Sequence, residues 1–347
     1  MRNLATTATA AGIFLLECGC PSTAMAVDLT ENVELHGYGH VGFLATDANR
    51  YLKADRNGTE DYRDLALLFT AKLNEQSKAW VQLYSIYGKA RVDWAFVDYQ
   101  IANGPLLRLG QAKLPIGLYN ETRDIEYSRP SSLKPFLYQD ATEMTDKAYR
   151  GLGLTYDHTL GSGNLTWDAY AGHAVEYQSQ DHRHYGLAGG RLSYQTPVDG
   201  LRAMLSAFAN NLEKVATGET SRKKAWVLSL DYTRDALDLK AEYGHVTSFE
   251  ETGVTWYGQA AYTLRERWTP YLRYDYITTD RANRADPSFY QRATVVGLGY
   301  RFNDNLGLRL ETHFNHGYAM PVAAGEMDAG TGKTDWRMTA VSLNFIF

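Results

Sequence analysis

The stretch Leu306-Gly307-Leu308-Arg309-Leu310-Glu311-Thr312-His313-Phe314 alternates apolar or small side chains with polar or charged ones over much of its length. The stretch 237–243 alternates in the same way. Successive side chains of a β-strand point to opposite faces, so a period of two predicts a strand with one apolar and one charged face. Such a strand lies between an apolar environment on one side and a polar environment on the other.

The same alternation recurs along the chain in segments of about ten residues. Sixteen segments show it, although some, such as 105–114, alternate only approximately. The predicted strands are 33–46, 62–73, 78–87, 90–101, 105–114, 149–157, 164–176, 185–196, 201–211, 225–234, 237–247, 254–264, 268–278, 291–302, 306–317 and 335–347. We therefore predict an all-β protein.

The connections between these strands have two lengths. Those after even-numbered strands are short, and several contain turn-forming residues, as in 102–104 and 303–305. Most of those after odd-numbered strands are longer; the exceptions follow strands three and eleven, and the long ones are 47–61, 115–148, 177–184, 212–224, 279–290 and 318–334. An even strand count with short turns at one end and longer loops at the other is typical of an outer-membrane barrel. The prediction is a 16-stranded antiparallel transmembrane β-barrel.

The connection 115–148 is the longest part of the chain without a repeating pattern, and it is rich in turn-forming and aromatic residues. Loops of that length in a compact fold are usually functional. We predict that this third extracellular loop folds into the pore. A disordered external loop is the alternative.

Residues 1–26 are predicted to be a secretory signal peptide. Arg2 precedes the apolar stretch 10–16, and small residues lead up to a cleavage site after Ala26. Both cysteines of the chain, Cys18 and Cys20, fall in this part. A mature barrel domain of residues 27–347 would contain no cysteine, which excludes a disulfide scaffold, thiol catalysis and cysteine-ligated zinc.

The composition favours a membrane barrel in the cell outer membrane. The formal net charge is -5, and removal of residues 1–26 leaves it unchanged, so a nucleic-acid partner is not expected. No apolar run reaches the roughly 18 residues that a membrane helix needs, so strands must do the crossing. The 25 tyrosines and 7 tryptophans fit aromatic belts at two lipid interfaces.

Two features carry a resemblance to a known family. The chain ends in Val341-Ser342-Leu343-Asn344-Phe345-Ile346-Phe347, and its long connection follows the fifth of sixteen strands. In both respects it resembles the Gram-negative outer-membrane porin superfamily. The resemblance implies a channel, a third loop folded into the pore, a homotrimer, and recognition of the terminal phenylalanine by the insertion machinery.

A shorter stretch is similar to the strand-to-constriction-loop passage of a little-characterised porin branch, distantly like phosphate-selective porins. It reads Gly110-Gln111-Ala112-Lys113-Leu114-Pro115-Ile116-Gly117-Leu118-Tyr119-Asn120-Glu121-Thr122-Arg123-Asp124. The chain departs from phosphate porins because it shows no ladder of lysines and arginines at the mouth, so anion selectivity is not implied. For the trimer, the small residues Gly37, Gly39 and Ala66 would allow close packing.

Sixteen strands enclose a lumen too wide for side chains to fill, so the polar face of each strand is predicted to face water. Lysine or arginine facing lipid would cost about 2 to 4 kcal/mol at the bilayer midplane. The wall residues predicted to line the pore are Arg108, Asp168, Arg191, Asp231, Glu242, Arg273, Asp275, Arg309 and Glu311. Such charges on neighbouring strands more often pair with each other than bind a ligand. The predicted lipid face includes Leu272, Tyr274, Leu298, Tyr300, Leu308 and Leu310.

The long connection is acidic. Residues 116–146 contain Glu121, Asp124, Glu126, Asp140, Glu143 and Asp146 against Arg123, Arg129 and Lys134, a net charge of -3. Of these, Glu121, Arg123, Asp124, Glu126 and Arg129 are predicted to lie at the constriction. Because charge at a constriction selects ions, we predict weak cation preference and passive diffusion of small hydrophilic solutes.

Two groups of histidines contain potential ligand side chains. His36 and His40 share one strand face and could bind a metal, but solvated lumen histidines are the favoured interpretation. His182, Arg183 and His184 are predicted to form a solvated loop-tip cluster. No metal, cofactor or catalytic residue is assigned.

Other functional classes remain open. A lipid-face hydrolase would need a serine, a histidine and a polar group that converge, and no persuasive pair is present, so an enzyme is not predicted. A substrate-specific channel, for example for small anions or organic acids, and a plugged structural or adhesive barrel are the alternatives to a general porin. The expected partners are outer-membrane lipid, small solutes and two further copies of the chain.

Overall fold

The computed structural model describes residues 26–86, 89–140, 146–175, 182–249 and 251–347. A closed barrel of sixteen antiparallel strands contains most of them. The last strand pairs with the first long strand, for example Phe345 with Gly39 and Val341 with Phe43. This closure satisfies the backbone groups that an open sheet edge would leave unpaired, and it confirms the predicted strand number and direction.

The strands are β1 Val27–Thr30, β2 Val33–Thr46, β3 Thr59–Lys72, β4 Ser77–Ile86, β5 Lys89–Gln100, β6 Leu106–Lys113, β7 Ala148–Leu160, β8 Gly163–Val175, β9 His182–Gln195, β10 Leu201–Lys214, β11 Thr220–Arg234, β12 Leu237–Ser248, β13 Glu251–Tyr262, β14 Trp268–Thr278, β15 Tyr290–Asn303, β16 Leu306–Gly317 and β17 Asp335–Ile346. The barrel consists of β2 to β17, and the short β1 pairs with β2. Within the described residues, a short α-helix, α1, spans Ala319–Ala323, and single 3-10 turns span Glu126–Ser128 and Phe136–Tyr138. Among the described residues, no helix has the length and apolar character to span a membrane.

The alternation of the sequence separates the two faces of the sheet. Leu272, Leu298 and Leu310 are exposed, as are most large apolar residues of the same parity. Arg273 and Glu311, of the opposite parity, are buried. We call the first set the outer face and the second the inner face, because closure turns the second towards the barrel axis.

The connections predicted after even-numbered strands are short, and they lie at one end of the barrel, here called the short-turn end. Because β1 shifts the numbering by one, they follow the odd-numbered strands β3 to β15. In the two-residue turn between β11 and β12, Asp235 adopts a left-handed conformation with φ of 52°, which aspartate tolerates better than most residues.

Two predicted long loops differ from the structure. The predicted loop 212–224 is mostly strand, because β10 and β11 continue their pairing as far as Glu213 and Thr220. The predicted loop 177–184 overlaps β9, which begins at His182. Alternation weakens where strands carry polar residues on both faces, so the predicted lengths of these strands were too short. The predicted signal peptide, except for Ala26, and the predicted strand ends at Tyr87 and Glu176 lie outside the described residues.

The small residues suggested for subunit packing are covered within the chain. Ala66 is fully buried. The ring of Phe347 lies over Gly37, where a Cβ atom would be 2.1 Å from the ring, and Phe345 covers Gly39. The prediction that Gly37 and Gly39 allow close packing between subunits was wrong, because the C-terminal aromatic rings already occupy the space above both glycines.

Candidate functional site

The candidate site is the long loop, residues 114–147, together with the inner face that it contacts. Its base is closed by Asn120, whose side-chain nitrogen donates to the carbonyl oxygens of Leu114 at 2.9 Å and Lys147 at 3.2 Å. Arg123 is buried and donates to Asn120 and to the carbonyl oxygen of Tyr138. These contacts give the loop its own compact framework.

Glu242 on β12 holds one part of the loop. Its carboxylate accepts hydrogen bonds from the hydroxyls of Tyr138 at 2.6 Å, Tyr257 at 2.7 Å and Ser229 at 2.6 Å. It also accepts one from the backbone N–H of Leu118 at 2.9 Å. A buried carboxylate needs such a full set of donors, so Glu242 is an anchor for the loop.

Gly117 passes close to this anchor in a left-handed conformation, with φ of 60°. A Cβ atom there would lie 2.1 Å from the Tyr138 hydroxyl and 2.6 Å from the Glu242 carboxylate. Only glycine allows the backbone to approach so closely in this conformation.

Glu311 on β16 is a second anchor. Its two oxygens accept the backbone N–H groups of Ser132 and Leu133, each at 2.9 Å. The hydroxyls of Ser132 and Ser342 are 2.8 Å apart. Arg273 on β14 donates to the carbonyl oxygen of Leu133 at 3.0 Å, so three strands hold this part of the loop.

The turn around Glu126 reaches towards the short-turn end. Glu126 accepts a hydrogen bond from Tyr62 on β3 at 2.9 Å and pairs with Arg309 on β16 at 3.3 Å. The neighbouring hydroxyl of Tyr127 donates to the carbonyl oxygen of Asp304, in the turn between β15 and β16, at 2.7 Å. The loop therefore contacts both ends of the barrel.

The acidic side chains of the loop that the sequence singled out are paired with basic ones. Glu121 pairs with Arg191 on β9 at 2.5 Å, and Asp124 pairs with Lys113 on β6 at 2.5 Å. Burial raises the pKa of Glu121, against the opposing effect of Arg191. The carboxylates are thus tied to the wall by ion pairs.

Asp140 lies within ion-pair distance of three basic side chains of the long loop. Its carboxylate accepts from Arg123 at 2.5 Å and Lys147 at 2.8 Å, and Lys134 lies 3.7 Å away. Although burial raises the pKa of Asp140, these cations bring it well below its usual range. Burial also lowers the pKa of Lys134 to about 8, despite the attraction of Asp140.

The other predicted wall residues form ion pairs. Some of these pairs lie within the wall, and others involve a wall residue that also contacts the loop. Arg108 pairs with Asp98, and Asp231 pairs with Arg202 and Lys240. Asp168 shares Arg191 with Glu121, and Asp275 holds Arg273 at 2.7 Å. The guanidinium of Arg129 donates to carbonyl oxygens of the loop itself. The predicted Glu143 lies outside the described residues.

The polar residues that complete the anchors were not predicted as site residues; they are chiefly Tyr138, Ser132, Ser342 and Asp93. Asp93 pairs with Lys113 at 2.8 Å beneath Asp124. The alternation of side chains indicates that Asp93 and Ser342 face inward. It does not indicate which loop residue each of them contacts. The many aromatics of the loop were the available signal, and Tyr138 is one of them.

Both histidine groups differ from the prediction. His40 is buried, not solvated, and its Nδ1 lies 2.8 Å from Asp64 and 3.4 Å from Glu126. His184 sits in β9 and contacts Asn210 at 2.7 Å, so the predicted loop-tip cluster is part of a strand. Among the described residues, no group of three or more potential metal ligands is present.

Neither a protein-family profile nor a curated relative matches the chain, whereas solved structures do. The Salmonella typhi OmpF complex with daunomycin has a TM-score of 0.63 and 16% identity, covering 93% of this chain and 100% of that one. The chain has the fold of an outer-membrane porin. For an anion-selective porin from Comamonas acidovorans the TM-score is 0.62 at 14% identity, covering 91% and 99%. OmpT, an outer membrane protein of Vibrio cholerae, matches in its trimer form with a TM-score of 0.58 at 12% identity, covering 91% of this chain and 100% of that one.

Proposed function

We propose that this protein is an outer-membrane channel, without enzymatic activity, through which small hydrophilic solutes and ions diffuse passively. The observation that carries the proposal is the closed sixteen-stranded barrel with an apolar outer face and a charged inner face. A barrel of this size can enclose an aqueous path. In this proposal the mature chain begins at Val27, and the short-turn end faces the periplasm.

We infer that the long loop lies inside the barrel and narrows the path. Its partners are Tyr62, Lys113, Arg191, Ser206, Glu242, Arg273, Glu311 and Ser342, on the inner faces of strands all around the barrel. A single segment can reach strands on opposite sides only by crossing the space between them. This supports a constriction made by the loop.

A residual path would follow the inner-face charges that keep contact with water. The side chains of Arg108, Arg191 and Glu121 are 19%, 15% and 16% exposed, and that of Arg202 is 19% exposed. They belong to β6, β9, β10 and the loop. Opposed charges along such a path order polar solutes and pass both signs; the weak cation preference expected from the loop's net charge remains part of the proposal.

One observation favours the second candidate, a plugged barrel without conduction. The loop contacts the short-turn end through Tyr127, and Leu114, Ile116, Asn120, Ser131, Ser132 and Tyr138 are almost completely buried. A loop packed this tightly along the barrel axis can block the passage of solutes and ions.

Planar-bilayer recording of the purified protein tests the proposal. Discrete open-channel currents are expected from a channel. Silence at every tested voltage, from protein whose barrel is intact by heat-modifiable mobility, would support the plugged barrel instead.

A disulfide tests where the loop lies and whether it moves. A chain starting at Val27 has no cysteine, and the hydroxyl oxygens of Ser132 and Ser342 are 2.8 Å apart, so cysteines at these two positions would bring their sulfur atoms together. Ser132→Cys with Ser342→Cys should cross-link spontaneously, and failure to do so would contradict the loop position. Current in the oxidised form shows a path beside the loop, whereas current only after reduction shows that the loop must move.

We further propose a homotrimer, supported by the trimer form of the structurally similar OmpT. Native mass spectrometry in mild detergent should give three chains per particle. A monomer would refute it.

A further inference from the structure

A patch of hydrogen-bond donors crosses the outer face of β7 to β11 near the long-loop end of the barrel, which is the end opposite the short-turn end. The residues of this donor patch are Arg150, His173, Tyr185, Asn211, Arg222 and Lys224. Arg150 lies opposite His173 in the strand register, and Asn211 lies between Tyr185 and Arg222. All six are exposed except Asn211, which is half-buried.

The outer face directly below the donor patch is apolar. Leu152, which shares its face of β7 with Arg150, lies opposite Ala171 on β8. Ala171 lies opposite Ala188 on β9, which in turn lies opposite Ala209 on β10. The boundary between polar and apolar side chains therefore crosses these strands at one level.

A cluster of aromatic rings shows where this level lies relative to the membrane. Trp226 shares its face of β11 with Lys224, and its ring centroid is 5.3 Å from that of Tyr243 and 5.6 Å from that of His245. Outward-facing aromatic residues mark the interface between hydrocarbon and headgroups in membrane barrels. At a rise of about 3.3 Å per residue, Lys224 and Arg222 lie about 7 and 13 Å beyond Trp226 along the strand, at the level of lipid headgroups.

The donor patch carries positive charge that the chain itself does not neutralise. Arg150, Arg222 and Lys224 are its three cationic side chains. Within the part of the chain that the structure describes, Arg222 and Lys224 have no ion-pair partner. The nearby outer-face carboxylate of Glu213 is paired with Arg183 at 3.6 Å. An exposed group of cations without counter-charges favours an anionic ligand.

The surroundings of the patch limit the kind of anion. Guanidinium and ammonium groups bind phosphate oxygens, and the hydroxyl of Tyr185 and the amide of Asn211 can donate further hydrogen bonds. The alanine row below the donors offers only apolar surface, so the ligand must join an anionic head to an apolar body. A lipid with a phosphorylated headgroup has both parts.

We propose that the donor patch binds the phosphate groups of an anionic lipid in the outer leaflet, with the acyl chains lying over the alanine row. This inference rests on the proposed location in the outer membrane, with the short-turn end in the periplasm. It adds a specific lipid to the proposed channel function and places that lipid on one side of the barrel.

Native mass spectrometry of the purified barrel in mild detergent tests the proposal. The probes are bis-phosphorylated lipid A, monophosphorylated lipid A and phosphatidylcholine. The first bis-phosphorylated lipid A should bind most tightly, the monophosphorylated form more weakly, and phosphatidylcholine most weakly. The double variant Arg222→Gln with Lys224→Gln should bind bis-phosphorylated lipid A about tenfold or more weakly, because two charge-assisted hydrogen bonds are lost.

Arg234→Gln with Arg265→Gln is the matched control, because it removes two exposed cations at the short-turn end. It should bind lipid A like the unchanged protein. Each variant is first checked for an intact barrel by heat-modifiable mobility. Unchanged binding in the Arg222 and Lys224 variant, an equal loss in the control, or equally tight binding of phosphatidylcholine would overturn the proposal.

The readout does not depend on conduction. A barrel that conducts but binds lipid A no better than phosphatidylcholine would overturn the lipid site alone. A silent barrel that binds lipid A through Arg222 and Lys224 would support the lipid site while refuting the channel.

Discussion

The hydroxyl of Tyr138 donates a 2.6 Å hydrogen bond to the carboxylate of Glu242, joining the long loop to the barrel wall across 104 positions of the chain. Each group is buried and depends on the other, because a buried carboxylate without donors is costly. The loop and the wall therefore stabilise one another.

Gly117→Ala should displace the loop from its anchor. The new Cβ atom would collide with the Tyr138 hydroxyl and the Glu242 carboxylate, and we expect the docked position to lose about 1 to 3 kcal/mol. Limited proteolysis within residues 114–147 should become faster. Gly258→Ala is the control, because a Cβ atom there would meet nothing within 4 Å; equal proteolysis of the two variants would contradict the prediction.

Glu311→Ala should loosen the second anchor. It leaves the N–H groups of Ser132 and Leu133 without their acceptor, at a cost of about 1 to 3 kcal/mol for each buried group left unpaired. If the protein conducts, the single-channel conductance should rise as the loop moves away from β16. Asp238→Ala, which also removes an inner-face carboxylate but one bound by Lys240, should leave the conductance much closer to that of the unchanged protein. Identical conductance in all three would refute the anchor role.

Replacing Glu121, Asp124 and Glu126 by their amides should shift the zero-current potential in a salt gradient towards anions. The change removes three negative charges beside Arg191, Lys113 and Arg309, so the proposed constriction becomes more positive. Arg191 and Lys113 keep their second partners, Asp168 and Asp93. The effect is local, because the Debye length is about 8 to 10 Å at physiological salt. An unchanged potential would show that these groups do not border the ion path.

Selectivity should depend on pH through Lys134, whose pKa burial lowers to about 8. A lysine with that pKa is roughly nine-tenths charged at pH 7 and roughly one-tenth charged at pH 9. Raising the pH from 7 to 9 removes positive charge from the loop and should shift the zero-current potential towards cations. Lys134→Arg keeps its charge in this range and should shift less; a shift of the same size would assign the effect to another group, such as Lys147.

Deletion of Phe347 should reduce the amount of barrel assembled in the outer membrane. The porin resemblance assigns the terminal aromatic to recognition by the insertion machinery, and the ring also covers Gly37. In-vitro folding into detergent separates the two roles. A truncated protein that folds in vitro but is scarce in the membrane supports recognition, and normal membrane levels would contradict the prediction.

The sequence by itself determined the barrel. A strand between lipid and a charged interior must alternate, and a one-residue slip would expose its charged face to lipid, so strand number, direction and facing were readable from period two. The bounds of β2, β14 and β16 agree with the prediction. The short turns were readable as well, because tight turns require particular residues.

Only the tertiary structure decided what the long loop contacts. Glu126 meets Tyr62, Arg309 and Ser342 from positions far apart in the chain, and no local pattern records such a meeting. The sequence showed that His40 faces inward, but not that the loop covers it, so a histidine expected in water is buried beside Asp64. Alternation reports the face on which a side chain lies, whereas its partners depend on how the closed barrel positions the loop.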